Sequence, residues 1–576
     1  MNIRDLLAEK ISQAMGACGA PAGTPAVVKQ AGRPEFGQYQ ANGVMAAAKK
    51  MNCKPREFAQ QVVSNIELEG VAERVEIAGP GFINIHLDPT FLSAQLMHIV
   101  GDGRLGIKSV AAQTVVVDYS APNLAKEMHI GHLRGTTIGD SLVRILEFLG
   151  HKVVRANHMG DWGSQFGRLL AYMNRLSNDA DSLGAELSDL ETFYQAATKL
   201  YDEDPEFAER SREYVVRLQS GDPECRKLWQ RFIDESIHHC QKVYADLNIT
   251  LTPADIKGES FYNDQLAGVV EELSEKDLVT LSDGAKCVFL DEFKGKEGKP
   301  LPAIVQNSSG AYPYISTDLA AVKYRTRTLK VDRALYFIDA RQTLHLQQLF
   351  AISRAAGYLT ERHEFRHLPF GVIMGDDGKP FQTRSGGVVK LASVLTEAKA
   401  RAHRLVSAKN PDLTKDARER IAEVVGIGAM KYAELSKNRS SDYIFNWDAM
   451  LSFEGNTAPY LQYAFTRIRS IFRREGIDAS TLTGIVVLEE TAEQRLAVKL
   501  LQFSECIDAV AEECLPNLLC NYLYELAGLF MSFYEACPVL KAAEPVRSSR
   551  LLLSAISAET LRMGLGLLGI ETVEQM

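Results

Sequence analysis

The chain has 576 residues, 46% hydrophobic and 24% charged, a globular composition that excludes collagen, coiled coil and long disorder for its bulk. Its 64 Lys and Arg stand against 73 Asp and Glu, so the net charge of −9 excludes a uniformly basic nucleic-acid coat but not a local basic patch. No apolar run reaches the ~20 residues of a membrane span, and the charged start MNIRDLLAEKISQAM has no secretory apolar stretch, so a cytoplasmic protein with no membrane partner is expected.

Residues 1–110 open with a helical pattern (Ile3, Leu6, Leu7, Ile11) and close with the strand-like AERVEIAGPGFINIHLD, broken at Gly79-Pro80-Gly81. After Gly106 comes TVVVDYS (114–120), a β-branched run suited to a strand buried on both faces of a parallel sheet. A loop and a helix follow, with Ile138, Leu142, Ile145, Leu146 and Leu149 at helical spacing and Gly150 as the C-terminal stop. HKVVRANH (151–158) reads as the next strand, giving a β-α-β unit and hence a doubly wound α/β sheet.

Residues of about 175–255 are polar and helix-periodic, as in an insertion into the sheet domain. Strand signals return at KCVFLDEF, AIVQ, ALYFIDA and LPFGVIM. GDDGKPFQTRSGG (375–387) is a polar, glycine-rich loop of a length that is uncommon without a function. From Val388 onward the pattern is helical and leucine-rich. The expected domains are therefore an α+β domain (1–110), an α/β domain with helical insertions (111–390) and an all-α bundle (391–576).

The nine cysteines are odd in number and never spaced C-x-x-C, so they are expected to be small buried hydrophobes. His238-His239-Cys240 reads as two faces of a polar helix, and no metal site is expected. Gly564-Leu565-Gly566-Leu567-Leu568-Gly569 satisfies G-x-G-x-x-G, but it follows a helical pattern rather than a strand, so it is expected to be a helix terminus.

The chemistry-bearing segment is SAPNLAKEMHIGHLRGTTIGD (120–140), between a buried strand and the head of a helix. Ligands in open α/β sheets bind there, and helix N-termini favour anions. Two imidazoles, His129 and His132, flank Gly131, an arrangement suited to an adenine over the glycine and phosphates beside the imidazoles.

This segment resembles the HIGH signature of class I aminoacyl-tRNA synthetases, in the form carried by arginyl-tRNA synthetases. The blocks GPGFINI (79–85), NHMGDWGSQFG (157–167), IDARQTLHLQQ (338–348), KYAELSKNRSSDYIFNWD (431–448) and FEGNTAPYLQYAFTR (453–467) are similar to that family too. The resemblance implies a Rossmann-type catalytic core and arginine–tRNA ligation. The arginine carboxylate attacks the α-phosphorus of ATP, pyrophosphate leaves, and the activated arginine passes to the 3′ end of tRNA-Arg, with activation needing bound tRNA. ATP and its accompanying Mg²⁺ are substrates, no cofactor is tightly bound, and a monomer is expected.

In that reading His129, His132, Gly131 and Asn123 hold ATP, and Asn123 also serves the arginine. The second class signature, a mobile lysine loop, is degenerate here: Pro380-Phe381-Gln382-Thr383-Arg384 lacks both lysines, leaving Lys379 and Arg384 nearby. Lys126 is placed to supply the missing charge, although an exposed lysine near a helix start is the plain alternative.

A guanidinium needs carboxylates that meet it bidentately. Asp118 ends the buried strand, and Asp318 follows Tyr314 by one helical turn; the resemblance implies arginine binding by Asp118, Tyr314, Asp318 and Gln342. A first-turn acid of a helix capped by Ser316 or Thr317 is the alternative for Asp318. Tyr460, Tyr463, Arg467 and Arg474 fall at helical spacing, suiting either unstacked bases or an arginine face over a tyrosine-bearing core. The resemblance places anticodon binding there, and places Phe82 and Asn84 on a D-loop base.

Overall fold

The computed structural model describes residues 2–176, 189–295, 298–382 and 389–576. The first segment begins with α1 (Ile3–Ala17), whose first turn is capped by the Asn2 side chain accepting the Asp5 N–H. Strands β1 (Val28–Gln30), β2 (Tyr39–Ala41), β3 (Ala72–Ala78) and β4 (Phe82–Leu87) form an antiparallel sheet in the order β1-β2-β4-β3. The Gly79-Pro80-Gly81 break is the β3–β4 hairpin turn, and both glycines there have positive φ. Helices α2 (Gly43–Lys50), α3 (Pro55–Asn65) and α4 (Pro89–Ile99) complete this α+β layer.

The central segment is built on a parallel sheet of β5 (Thr114–Asp118), β6 (Lys152–Ala156), β10 (Arg333–Tyr336) and β11 (Glu364–His367), ordered β11-β10-β5-β6. Val115, Val116 and Val117 of β5 are fully buried, which is why that strand reads as an unbroken apolar run. Helix α5 (Gly131–Phe148) crosses from β5 to β6, while β10 joins the opposite edge of β5. The order in which strands are added reverses at β5, with β6 on one side and β10 on the other, so the crevice outside Asp118 and Tyr336, which are register partners, is the topological switch point. Gly139 lets α5 lie against the end of β5, since a Cβ there would sit 2.3 Å from Tyr119 Cβ.

The insertion is helical as expected: α6 (Ser164–Leu176), α7 (Leu190–Glu203), α8 (Pro205–Gln219) and α9 (Pro223–Asp246), followed by α10 (Leu266–Glu275). The four strand signals after the insertion all give strands, but in three different sheets. KCVFLDEF and AIVQ do not join the parallel sheet; with β7 (Val279–Ser282) they form β8 (Ala285–Val288) and β9 (Ala303–Gln306) of a separate antiparallel sheet. LPFGVIM yields only β12 (Ile373–Met374), which pairs in parallel with β13 (Tyr443–Ile444) from the stretch read as purely helical. Helices α11 (Tyr314–Lys323), α12 (Thr343–Ala355), α13 (Leu391–Lys409) and α14 (Lys415–Leu435) complete the segment.

The last segment contributes α15 (Ala458–Glu475), α16 (Thr491–Leu501), α17 (Phe503–Glu513), α18 (Asn517–Ala536) and α19 (Val546–Leu567). The G-x-G-x-x-G string is the end of α19, where Gly569 takes a left-handed conformation. Contacts divide the chain into two compact units: residues 1–109 with 452–566 and 571–576, and residues 110–451 with 567–570. Helices α13 and α14, on the carboxy-terminal side of residue 391, pack within the second unit. In the first unit the buried Tyr39 hydroxyl donates to Glu505 Oε1 at 2.5 Å, tying the sheet to α17. Six cysteines are buried and all nine are free thiols; Cys240 lies inside α9, and its neighbour His239 pairs with Glu235. No helix among the described residues is long and apolar enough to cross a membrane.

Candidate active site

The chain leaves β5 through Ser120 and Ala121, both at positive φ, and the Asn157 side chain receives the Ala121 N–H at 3.1 Å. Asn123 Oδ1 accepts from Ala125 N at 3.0 Å and from Gln165 Nε2 at 3.1 Å, so the NHMGDWGSQFG block braces the turn that carries Asn123. At the head of α5 the His129 and His132 rings lie 4.0 Å apart, centroid to centroid. Gly131 N donates to His129 Nδ1 at 3.0 Å, and His129 N donates to His132 Nδ1 at 3.1 Å. His129 Nδ1 is thus an acceptor and that ring carries its proton on Nε2, whereas His132 Nδ1 faces both the His129 N–H and, at 3.3 Å, the His129 carbonyl. Burial pushes His132 down to about 3 and lowers His129, assisted by Lys126 and Arg341, so both imidazoles are neutral at pH 7. They are N–H donors, not point charges. The surface over Gly131 is filled by the His129 ring, whose Cε1 would meet a Cβ at 2.8 Å.

The stretch after the glycine-rich loop returns to this signature: Ile130 N donates to Val389 O, and Leu391 N to Met128 O. Lys390 Nζ pairs with Glu127 at 3.1 Å and Asp189 at 2.9 Å. Lys126 is exposed and stacks over the Tyr194 ring at 4.4 Å. Lys379 is also exposed, its backbone N–H donating to Asp377 Oδ1; neither lysine lines the cleft in this conformation. Arg384 lies outside the described residues.

The cleft at the switch point has a volume of about 1350 Å³ and is lined by His129, Gly131, His132, Asn123, Asp118, Tyr314, Asp318 and Gln342 among others. The structure therefore gathers the expected ATP- and arginine-site residues in one cleft, while Lys126 and Lys379 stand outside its lining. It also shows how the two acids are held. Asp118 is not free: its Oδ2 meets Arg325 Nη2 at 2.5 Å, and both side chains are 3% exposed, while Oδ1 carries no hydrogen bond. Asp318 is not a first-turn cap acid, because α11 begins at Tyr314 behind Pro313 and no side chain caps it.

Asp318 instead sits between two histidines absent from the sequence expectation, with His158 Nε2 3.1 Å from Oδ1 and His345 Nε2 2.6 Å from Oδ2. Against the cost of burial, the two imidazoles hold its carboxyl far below the usual range. His158 is raised to about 9: burial opposes its charge, but Asp318 and then Asp118 outweigh it. Burial also lifts Glu259 to about 7. Tyr314, 55% exposed, lays its ring 4.4 Å from that of His345. His158 and His345 stand inside the NHMGDWG and IDARQTLHLQQ blocks, so the signal existed; what was missing was the pairing. Arg325, in the π-helical turn Tyr324–Thr328 that continues α11, carried no signal at all.

In the other unit, Tyr463, Arg467 and Arg474 of α15 share a recess of about 280 Å³ with Phe530, Met531 and Tyr534 of α18. Tyr460 lies outside that recess, its ring against Tyr524 at 5.6 Å, and Arg469 and Arg473 turn to Glu574. Asn84 is buried, its Oδ1 accepting from Gln40 Nε2 at 2.7 Å, whereas Phe82 is half-buried; the amide expected to read a base is already engaged within the sheet.

Three family models match in succession: the arginyl-tRNA synthetase N-terminal domain (residues 1–87), the class I (R) tRNA synthetase catalytic domain (95–447) and the DALR anticodon-binding domain (461–576). The arginine–tRNA ligases of Hahella chejuensis and Escherichia coli are 57% and 55% identical to this chain, with full coverage of both sequences. Among solved structures, the arginyl-tRNA synthetase of Plasmodium falciparum superposes with a TM-score of 0.86 at 29% identity, covering 100% of this chain and 99% of that one. The Thermus thermophilus arginyl-tRNA synthetase gives 0.82 at 25% identity with both chains fully covered. With its fold, its signature helix and its whole length in agreement, the chain belongs to the arginyl-tRNA synthetase family of class I aminoacyl-tRNA synthetases.

Proposed function

We propose that this chain joins arginine to tRNA-Arg by way of an arginyl-adenylate formed in the cleft of residues 110–451, as a cytoplasmic, monomeric enzyme. The observation that carries the reading is the pair of neutral imidazoles at the head of α5, opening onto the cleft that also holds the Asp318 carboxylate. A carboxylate oxygen of arginine attacks the α-phosphorus of ATP, which enters with Mg²⁺, and pyrophosphate departs with the bond's electron pair. The ring N–H groups of His129 and His132 donate to phosphate oxygens as charge builds there, which needs position rather than proton transfer. Asn123 holds the amino-acid end, and Asp318, Tyr314 and Gln342 hold the guanidinium end. Asp118 acts with Arg325, its free Oδ1 being the acceptor left for substrate.

Lys126 and Lys379 reach the outer phosphates after leaving their present positions, which accords with activation that waits for tRNA. A terminal ribose hydroxyl of tRNA then attacks the activated carbonyl, losing its proton as AMP leaves. The anticodon end meets the Tyr463–Arg467–Arg474 recess, aromatic and cationic as single-stranded bases require. Pyrophosphate exchange into ATP, measured for each amino acid with and without tRNA, tests this. Exchange with arginine alone, and only with tRNA, is expected. Exchange with another amino acid refutes the pocket assignment, and exchange without tRNA refutes the dependence.

A further inference from the structure

Asp318 is the acid assigned to the guanidinium, yet neither of its oxygens is bare. His158 comes from the loop just after β6 and His345 from α12, and they approach the carboxylate one on each oxygen. His345 Nε2 is hydrogen-bonded to Oδ2, whereas His158 Nε2 faces Oδ1 as an ion pair without completing a hydrogen bond, so each oxygen keeps at least one of its two lone-pair sites. The two sites left over are what a planar guanidinium needs for two parallel N–H bonds, provided that the carboxylate cannot rotate.

The protonation of His158 follows from its surroundings. Its Nδ1 lies 3.0 Å from the Lys257 carbonyl and its Nε2 3.1 Å from Asp318 Oδ1. The carbonyl takes the Nδ1 proton, and the carboxylate 3.1 Å from Nε2, although not in hydrogen-bond geometry, favours a second proton there and so the imidazolium. The other charged or titratable groups that face it are Asp118 on β5, Asp161 in the loop after β6, Glu259 and Tyr262 on the short helix Glu259–Gln265, and Arg325 after α11. The floor of the cleft thus holds two cancelling pairs, Asp118 with Arg325 and Asp318 with His158. Asp118 and Asp318 each face a cation, while Glu259 and Asp161 add negative charge that attracts any cation alike, so it is the orientation of Asp318 that tells one cationic side chain from another. A lysine ammonium, a point charge, gains less from a fixed orientation than a guanidinium does.

We propose that His158 and His345 are the positioning residues of the arginine pocket, locking the Asp318 carboxylate in the orientation that a guanidinium meets bidentately. This rests on Asp318 being the guanidinium ligand. Steady-state aminoacylation by the full chain with H158L, H345L, H345Q and D318N tests both statements. Loss of one charge-assisted anchor is expected to raise KM for arginine by about 10-fold or more, with KM for ATP within about twofold of the parent. H345Q, which restores an N–H donor, is expected to recover most of the loss. If H345L leaves the arginine KM unchanged, if arginine and ATP rise together, or if H345Q is as impaired as H345L, the positioning role is overturned. If D318N binds arginine normally, the assignment of Asp318 itself fails and the inference falls with it. Should H158L not fold, the two His345 variants decide.

Discussion

Arg134, one turn into the signature helix α5, is 1% exposed, and Glu434 of α14 opposite it is fully buried. Their nearest approach is 3.8 Å, Arg134 Nη2 donates to Asn438 O at 3.0 Å, and the Tyr443 hydroxyl donates to Glu434 Oε1. The segment after Asn438 then grips β12, which leads into the glycine-rich loop: Gly371 N donates to Arg439 O, and Asp442 Oδ1 accepts the Val372 N–H. Replacing Arg134 by Met removes one partner of a buried pair, a change that typically costs about 3–5 kcal/mol because the remaining charge is uncompensated. Glu434→Gln keeps an acceptor for Tyr443 while removing the charge. The double variant is therefore expected to lose less than the sum of the singles, by about 1–3 kcal/mol.

The pH dependence has a definite sign. Burial pushes Glu434 up to about 7 from 4.5, against the lowering effects of Tyr443 and Arg134. A raised carboxyl contributes stability that is present below its unfolded value and lost as pH rises through its folded value. Without Arg134 that folded value climbs further, so above pH 7 the variant keeps losing up to about 1.4 kcal/mol per pH unit while the parent levels off. All three tryptophans, Trp162, Trp229 and Trp447, lie in the catalytic unit, so urea unfolding followed by tryptophan fluorescence reports on that unit. His158 and Glu259 titrate in both proteins and cancel in the difference. A loss under about 1 kcal/mol, strict additivity in the cycle, or a difference that is flat between about pH 6 and 8.5 would refute the reasoning.

Gly139→Ala drives a Cβ to 2.3 Å from the backbone-proximal Tyr119 Cβ, which cannot swing aside. A cost of about 1–3 kcal/mol in the same unfolding assay is expected, with kcat falling as α5 shifts its two imidazoles; parent-like stability and kcat would show that the contact relaxes freely. His158, raised to about 9 from 6.5, contributes stability that is whole below pH 6.5 and lost as pH rises through 9. The stability difference between parent and His158→Gln is therefore expected to shrink across that window, and a difference growing with pH would contradict the ion pair. Arg467→Ala strips the recess beside Tyr463 of a cation. It is expected to weaken tRNA binding in a salt-dependent way while KM for arginine and ATP stays constant; equal tRNA affinity in a filter-binding assay would move the anticodon contact elsewhere.

Local order was legible from residue patterns alone. The apolar run of β5, the helical spacing behind Gly131 and the one-turn interval from Tyr314 to Asp318 each depend on neighbours a few residues away, and each stands in the structure. The His129–Gly131–His132 string was legible for the same reason, since strand, turn and helix head follow one another in the chain. β11 was missed: Glu-Phe-Arg-His carries little apolar signal, and its strand character comes from pairing with β10. The strands that follow α10 carried a strand signal but no partner, so nothing local distinguished a separate antiparallel sheet from the parallel one.

Charge compensation lay beyond the reach of pattern altogether. Asp118 and Arg325 are 207 positions apart, and no spacing rule joins the end of one strand to a turn that the fold brings over it. The same holds for Asp318, placed by α11 but held by histidines from the loop after β6 and from α12, and for Arg134 and Glu434 across two helices. Residue types along the chain determined which secondary elements form and where the reactive groups stand on them. Which buried charges cancel, which oxygen atoms stay open to substrate and which imidazoles are neutral were decided only by tertiary packing, because desolvation and Coulomb interaction depend on distance through space and not along the chain.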